Sequence, residues 1–182
     1  SSDAYDTIEW LLRNVGGHNG KVGQWGISYP GFYTSMAMID AHPALKASSP
    51  QAPIADWFAG DDWHHNGALF LAHAFNFMSS FGHPRPAPVK RYTTDRYMYN
   101  DRPDAYAFFL DLGPLSNVDA RYFKGGVPFW NEMLRHADRD DWWKARDIRP
   151  HLKRIKPAVL NVGGWYDAEN LYGVLETYKA VE

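Results

Sequence analysis

The chain has 182 residues, no cysteine and a formal net charge of −2 at pH 7. That balance gives no electrostatic case for nucleic acid or an anionic membrane as partner, no apolar run reaches the length of a membrane-spanning helix, and the missing cysteines exclude disulfides, thiolate metal sites and a cysteine nucleophile. An apolar fraction of 45% with 16% aromatic residues indicates a folded core with aromatic surface to spare, part of which is expected to line a pocket or lie under another segment. In chain order, residues 6–14 set Ile8, Leu11 and Leu12 on one helical face with Trp10 at its edge, and Gly16-Gly17-His18-Asn19-Gly20 stops that helix. Residues 21–25 read as a short strand, 32–41 as a helix ended by His42-Pro43, and 45–52 as a second strand leading into Pro53. From Asp56 to about Asp147 runs an aromatic-rich stretch without strand alternation. Within it, 67–78 and 104–110 have helical periodicity, and Pro84, Pro86 and Pro88 form a stiff extended link. Residues 149–156 are a basic lead-in to an apolar strand at 158–162, a loop Gly163-Gly164-Trp165-Tyr166-Asp167, and a last helix over 171–181. There is no internal repeat. Both ends fall inside helix-like segments and read as cut, so a missing leader says nothing of compartment.

The hexapeptide Gly26-Ile27-Ser28-Tyr29-Pro30-Gly31 joins the first strand to the second helix. A glycine-flanked serine at a strand-to-helix turn is the pattern of a nucleophile elbow. The serine takes strained backbone angles, so its neighbours must be small, and the first N–H groups of the helix lie beside its oxygen, where they can stabilise an oxyanion. The usual form is G-x-S-x-G; here the second glycine comes one residue later, after a proline. An ordinary turn serine is the alternative that the hexapeptide alone leaves open. The loop after the 158–162 strand carries Asp167 and Glu169. An acid there fits the hydrolase chain order of Ser, then Asp or Glu, then His, with the carboxylate holding the imidazole tautomer. The expected architecture is α/β, with residues 1–56 and 149–182 forming core and 57–148 an inserted helical cap, since an insertion that long between sheet strands is usually functional.

Three ordered runs carry a resemblance: Trp25-Gly26-Ile27-Ser28-Tyr29-Pro30-Gly31-Phe32-Tyr33, Gly60-Asp61-Asp62-Trp63-His64-His65-Asn66-Gly67-Ala68, and Val162-Gly163-Gly164-Trp165-Tyr166-Asp167-Ala168-Glu169. Together they resemble the CocE/NonD hydrolases, the X-Pro dipeptidyl-peptidase (S15-type) serine hydrolases, and most closely the α-amino acid ester hydrolases. The resemblance implies the C-terminal half of an α/β-hydrolase sheet with a helical cap, the remaining strands and a C-terminal jelly-roll domain lying outside this chain. It implies Ser28 as nucleophile, Asp167 as triad acid and the Tyr29 backbone N–H as one oxyanion donor, the second donor being a tyrosine hydroxyl upstream of the chain. No histidine follows Asp167, so the general base is expected further downstream and the chain alone is expected to be inactive. The branch's carboxylate cluster for the substrate's α-ammonium group maps onto Asp62, Glu169 and Asn170; the last stands where the branch has an aspartate, and an amide brings no negative charge. The implied substrates are small esters and amides of α-amino acids, including β-lactam antibiotics with such side chains. An acylase or carboxylesterase without an amine requirement and an X-Pro dipeptidyl peptidase are the alternatives. No cofactor is implied, since a triad supplies its own nucleophile and base. The likeness also suggests a homo-oligomer and a periplasmic or secreted location, which no residue fixes.

Each assignment has a plainer rival. Asp167 is placed to cap the last helix, Glu169 to favour its macrodipole, and Asp61 to do the work given to Asp62. His64 and His65 invite a metal reading, but neighbours point apart on any regular element and no third ligand stands at a diagnostic spacing, so no metal is assigned. Trp57, Trp63, Trp130, Trp142 and Trp143 either shape an acyl pocket or fill the cap core. Arg135, Arg139, Lys144, Arg146 and Arg149, mixed with Asp138, Asp140, Asp141 and Asp147, read as a solvated helical face. An aromatic-rich binding module without chemistry is the reading from another class.

Overall fold

Three short strands pair in parallel. The computed structural model describes residues 2–88 and 104–182. They divide into two compact units: one takes in the residues up to Ala68 together with Asp141–Glu182, and the other lies within Leu69–Asp140.

In the first unit, helix α1 (Ser2–Asn14) precedes strand β1 (Val22–Ile27), helix α2 (Tyr29–Met38) and strand β2 (Leu45–Gln51). β1 and β2 are parallel, with Gly23 opposite Ala47 and Ile27 opposite Gln51. β2 lies between β1 and a late strand at Ala158–Val159, also parallel. That late pairing runs on through Leu160 N–H to Ser48 O (3.0 Å) and Val162 N–H to Pro50 O (3.1 Å). Parallel neighbours need crossover segments: α2 connects β1 to β2, and residues 52–157 connect β2 to the late strand.

α1 buries Ile8 against Ala44 and Leu45, with Leu12 and Val22 beside them, while Leu11 is exposed. His42 locks this corner: its Nδ1 accepts the Ala44 N–H (3.0 Å) and its Nε2 meets Glu9 (2.8 Å). On the other side, Met38 of α2 packs with Ala55, Ile148 and Leu152, flanked by Phe32, Ile155 and Val159.

The second unit is helical and aromatic-cored: α3 (Leu71–Phe81), α4 (Ala105–Leu112), α5 (Ser116–Val118) running into a π-turn at Asp119–Phe123, and α6 (Pro128–Arg135). Asp104 caps α4 by accepting the Ala107 N–H at 2.8 Å. Phe75 stands at the centre, with ring centroids 5.3 Å from Phe108 and 5.6 Å from Phe123, and Phe123 in turn meets Trp130 at 5.4 Å. Offset and edge-on geometries of this kind add to burial. Pro84 to Pro88 carry no helix or strand, and the segment they lead into lies outside the described residues.

The insertion expected over 57–148 is wider than the helical unit. Residues 57–68, with the hairpin of β3 (His64–His65) and β4 (Ala68–Leu69) that ends them, and residues 141–148, with helix α7 (Asp141–Lys144), mostly fold with the first unit. Packing decides this: Trp143 meets Phe58 (5.5 Å) and His64 (4.9 Å), and the Ile148 N–H bonds Ala55 O (3.1 Å). Trp57, Trp63 and Trp143 are therefore core of the sheet unit, Trp130 is core of the helical one, and Trp142 is half-buried beneath Arg146, 3.6 Å from its ring. The helix expected at 67–78 begins only at Leu71. A second correction concerns Arg149 and Asp147. They are not a solvated face: Asp147 is buried, and Arg149 donates to it and to Asp56 (2.6 Å) from a short 3₁₀ turn, Arg149–His151. After it come β5 (Ala158–Val159) and α8 (Leu171–Ala180).

Leu152 is fully buried in the cluster under α2. Leu152→Ala removes its buried methyl groups and leaves a cavity, so the midpoint of chemical denaturation is expected to fall by the equivalent of about 2–5 kcal/mol, with far-UV circular dichroism of the folded state unchanged.

Candidate active site

β1 ends at Ile27 and α2 begins at Tyr29, leaving Ser28 alone in the turn with φ 63° and ψ −121°. A non-glycine residue there costs on the order of 1–3 kcal/mol and persists only where its surroundings over-determine it. They do. The Ser28 N–H bonds Gln51 O (2.9 Å), its carbonyl accepts the Phe32 N–H (3.0 Å), and Pro30 sets the first turn of α2. The two glycines make this possible by absence. A Cβ on Gly26 would lie 2.4 Å from Pro30 O, and one on Gly31 would lie 2.3 Å from Gln51 O. The displaced second glycine is thus explained: Pro30 takes the usual glycine position, and Gly31 clears the end of β2.

Tyr29 N–H stands at the first position of α2, where helix geometry offers it no acceptor within the helix. The Tyr29 ring packs edge-on to Tyr33 (4.9 Å) and near Trp57 (5.7 Å), which stacks on Trp63 (5.7 Å). Burial, then Tyr33, then the Asp62 charge push the Tyr29 hydroxyl up to about 12, so it stays a donor at any working pH.

The acid loop leaves the sheet at the same end. Ile27, Gln51 and Val162 form one row across the strands, Ser28 following the first and Asp167 lying five residues past the last. Asp167 Oδ1 accepts the N–H groups of Glu169 (2.8 Å) and Asn170 (2.9 Å) in the turn leading into α8. This is an Asx-turn ahead of the helix rather than a cap of α8, whose N-cap is Asn170, and it leaves the second oxygen to another donor. Among the described residues no histidine hydrogen-bonds Asp167 or Ser28. His64 packs between Phe58 and Trp143, and burial lowers its pKa.

Asp62, Glu169 and Asn170 come together from distant parts of the chain. Asp62 is buried with φ 48°. Its N–H approaches Glu169 O (3.4 Å), and Asn170 Nδ2 donates to its Oδ1 across a long 3.5 Å. Burial first, then the Glu169 and Asp61 charges, push the Asp62 carboxyl up to about 7, against the Asn170 hydrogen bond. Burial pushes the Asp61 carboxyl up to about 7 as well, against three backbone hydrogen bonds, but its surroundings differ. It is fully buried and accepts three backbone N–H groups, so it is scaffold. Asp56 and Arg149 belong to that scaffold too, and nothing in their sequence neighbourhood distinguishes them. A cleft of about 490 Å³ adjoins, walled by Gly60, His65, Asn66, Asp167, Glu169 and Tyr172.

The family described as X-Pro dipeptidyl-peptidase (S15 family) matches residues 1–182. A cocaine esterase from Rhodococcus sp. (strain MB1 Bresler) is 25% identical, covering 91% of this chain and 29% of its own length. Among solved structures, a selenomethionine-labelled α-amino acid ester hydrolase superposes with a TM-score of 0.83 at 30% identity, over 98% of this chain and 28% of that one. An aminopeptidase from a marine sediment archaeon (Thaumarchaeota archaeon) superposes at 0.82 and 32% identity, over 99% and 29%. The chain thus spans less than a third of the length of these relatives.

The raised Asp62 carboxyl makes a signed prediction. Because its native value (about 7) exceeds the usual 3.8, the folded state holds the proton more tightly. The favourable contribution is whole below 3.8 and is lost as pH rises through about 7. Asp62→Asn removes this loss, so the thermal midpoint of Asp62→Asn relative to the parent is expected to rise between about pH 4 and about pH 7 and to level off above that. A constant difference across that range would contradict it.

Proposed function

We propose, from the premise that this chain belongs to the X-Pro dipeptidyl-peptidase (S15) family, that it carries the nucleophile, one oxyanion donor and the triad acid of a serine hydrolase acting on esters and amides of α-amino acids. The observation that carries the proposal is the strained Ser28 held between Gly26 and Gly31, in a conformation that turns ordinarily reserve for glycine. Ser28 Oγ attacks the substrate carbonyl as an imidazole from sequence beyond residue 182 takes its proton. Asp167, with one oxygen fixed by two backbone N–H groups, holds that imidazole through the other and stabilises the imidazolium. The Tyr29 N–H and a tyrosine hydroxyl from outside this chain receive the oxyanion. The intermediate collapses by breaking the bond to the alcohol or amine, which leaves with the imidazolium proton, and water then cleaves the Ser28 acyl ester by the same route. No cofactor enters the scheme.

Asp62 and Glu169, with Asn170 beside them, form the site for the substrate's α-ammonium group. Two partly dehydrated carboxylates supply the charge complement, and two similar structures are named for substrates with a free amino group. One observation favours a second reading. Asn170 removes a carboxylate from this site, which could weaken ammonium binding by on the order of 1–3 kcal/mol; an acylase or esterase indifferent to the amine follows if that loss dominates. We read the helical unit, inserted in chain order between β2 and β5, as the cap of this hydrolase.

On the full-length protein, kcat/KM for phenylglycine methyl ester is expected to exceed that for phenylacetic acid methyl ester, which lacks only the amine. Ser28→Ala is expected to lower both by at least about a thousand-fold and to abolish fluorophosphonate labelling. Equal rates on the two esters would move the protein to the amine-indifferent reading. A folded full-length protein that takes up no label would support a binding module instead.

A further inference from the structure

Asp61 joins two segments far apart in the chain. Its Oδ2 accepts the N–H groups of Ala55 (2.8 Å) and Asp56 (3.0 Å), where the chain has just left β2, and its Oδ1 accepts that of Gly173 (2.7 Å), in the first turn of α8. The approach is as close as backbones allow: a Cβ on Gly173 would lie 1.9 Å from Pro53 O and 2.8 Å from Asp61 Oδ1. Asp62 is the next residue on the first segment, and Glu169 and Asn170 immediately precede α8 on the second. The two halves of the ammonium site are therefore borne by the two pieces of chain that one buried carboxylate ties together.

We propose that Asp61 is a positioning residue for that site: its carboxylate sets the separation of Asp62 from the Glu169–Asn170 pair, and with it the preference for substrates bearing a free α-ammonium group. This rests on the reading of the site as an ammonium site. Three donors converge on two oxygens, a pattern that an ionised carboxylate satisfies fully and an amide does not. The helix has a second attachment. Arg149 donates to Asp56 (2.6 Å) and to the Tyr172 hydroxyl of α8 (2.5 Å), so loss of the Asp61 tie loosens the last few tenths of an ångström while α8 stays in place. Charged contacts depend steeply on such distances in a dehydrated site.

The test uses full-length protein carrying Asp61→Asn. The single amide oxygen keeps the Ala55 and Asp56 donors, and its NH₂ meets the Gly173 N–H donor to donor. kcat and KM are measured on the phenylglycine and phenylacetic acid methyl esters, per site counted by fluorophosphonate labelling of Ser28, which removes unfolded protein from the comparison. KM for the amino ester is expected to rise about ten-fold or more, while kcat and the KM of the other ester change by less than about two-fold. An unchanged preference in Asp61→Asn, or an equal loss on both esters, overturns the proposal and leaves the ammonium reading standing. A parent protein with no preference for the amino ester overturns that reading and this proposal with it. If Asp61→Asn gives no labelled protein, Asp61→Glu, which keeps both acceptor oxygens but moves them by a methylene, is measured against the same expected and overturning results.

Discussion

The carbonyl of Gln51 is the point on which this unit turns. It accepts the Ser28 N–H, and its close approach to Gly31 excludes any side chain there. The same residue pairs with Val162 at the head of the acid loop. A single residue at the end of the central strand therefore fixes both the strained serine and the strand that delivers Asp167. Backbone hydrogen bonds suit this role, because a buried N–H or C=O left unpaired costs far more than its bond contributes. The elbow's strain is held by groups that have nowhere else to go.

Acidic residues close in sequence divide by environment. Asp56 and Asp61 are saturated by backbone N–H groups and by Arg149, and they act as struts. Asp62 and Glu169 face one another, and the Asn170 amide reaches Asp62 only across a long contact. Carboxylates crowded into a dehydrated space are unfavourable by themselves, and a cation bound between them would relieve them. Asn170 tempers the crowding: where a third carboxylate would add repulsion, its amide donates to Asp62.

The surplus of aromatic residues separates into three populations. One fills the helical unit around Phe75. One lines the elbow and the sheet unit through Tyr29, Trp57, Trp63 and Trp143. The third is exposed: Trp25 on the sheet, and Trp165 and Tyr166 in the acid loop. Composition registers all three alike, because hydrophobicity by itself does not say which partner a ring will find.

Features that depend on local physics are legible along the chain. The strand-to-helix turn, the elbow serine, the helices around Ile8 and at 171–180 and the strand feeding Asp167 are written in glycine placement and short apolar runs, which act over a few residues. The runs around Ser28, Asp62 and Asp167 carry the family resemblance in the same way. Other outcomes emerge only when the chain is folded: which of Asp61 and Asp62 is a strut, that Arg149 and Asp147 leave solvent to hold α8, that residues 57–68 and 141–148 pack chiefly with the sheet, and that Gly31 stands one place late because Gln51 O needs the space. These rest on contacts between residues up to a hundred or so positions apart, where desolvation and close packing choose between side chains that look equivalent along the chain.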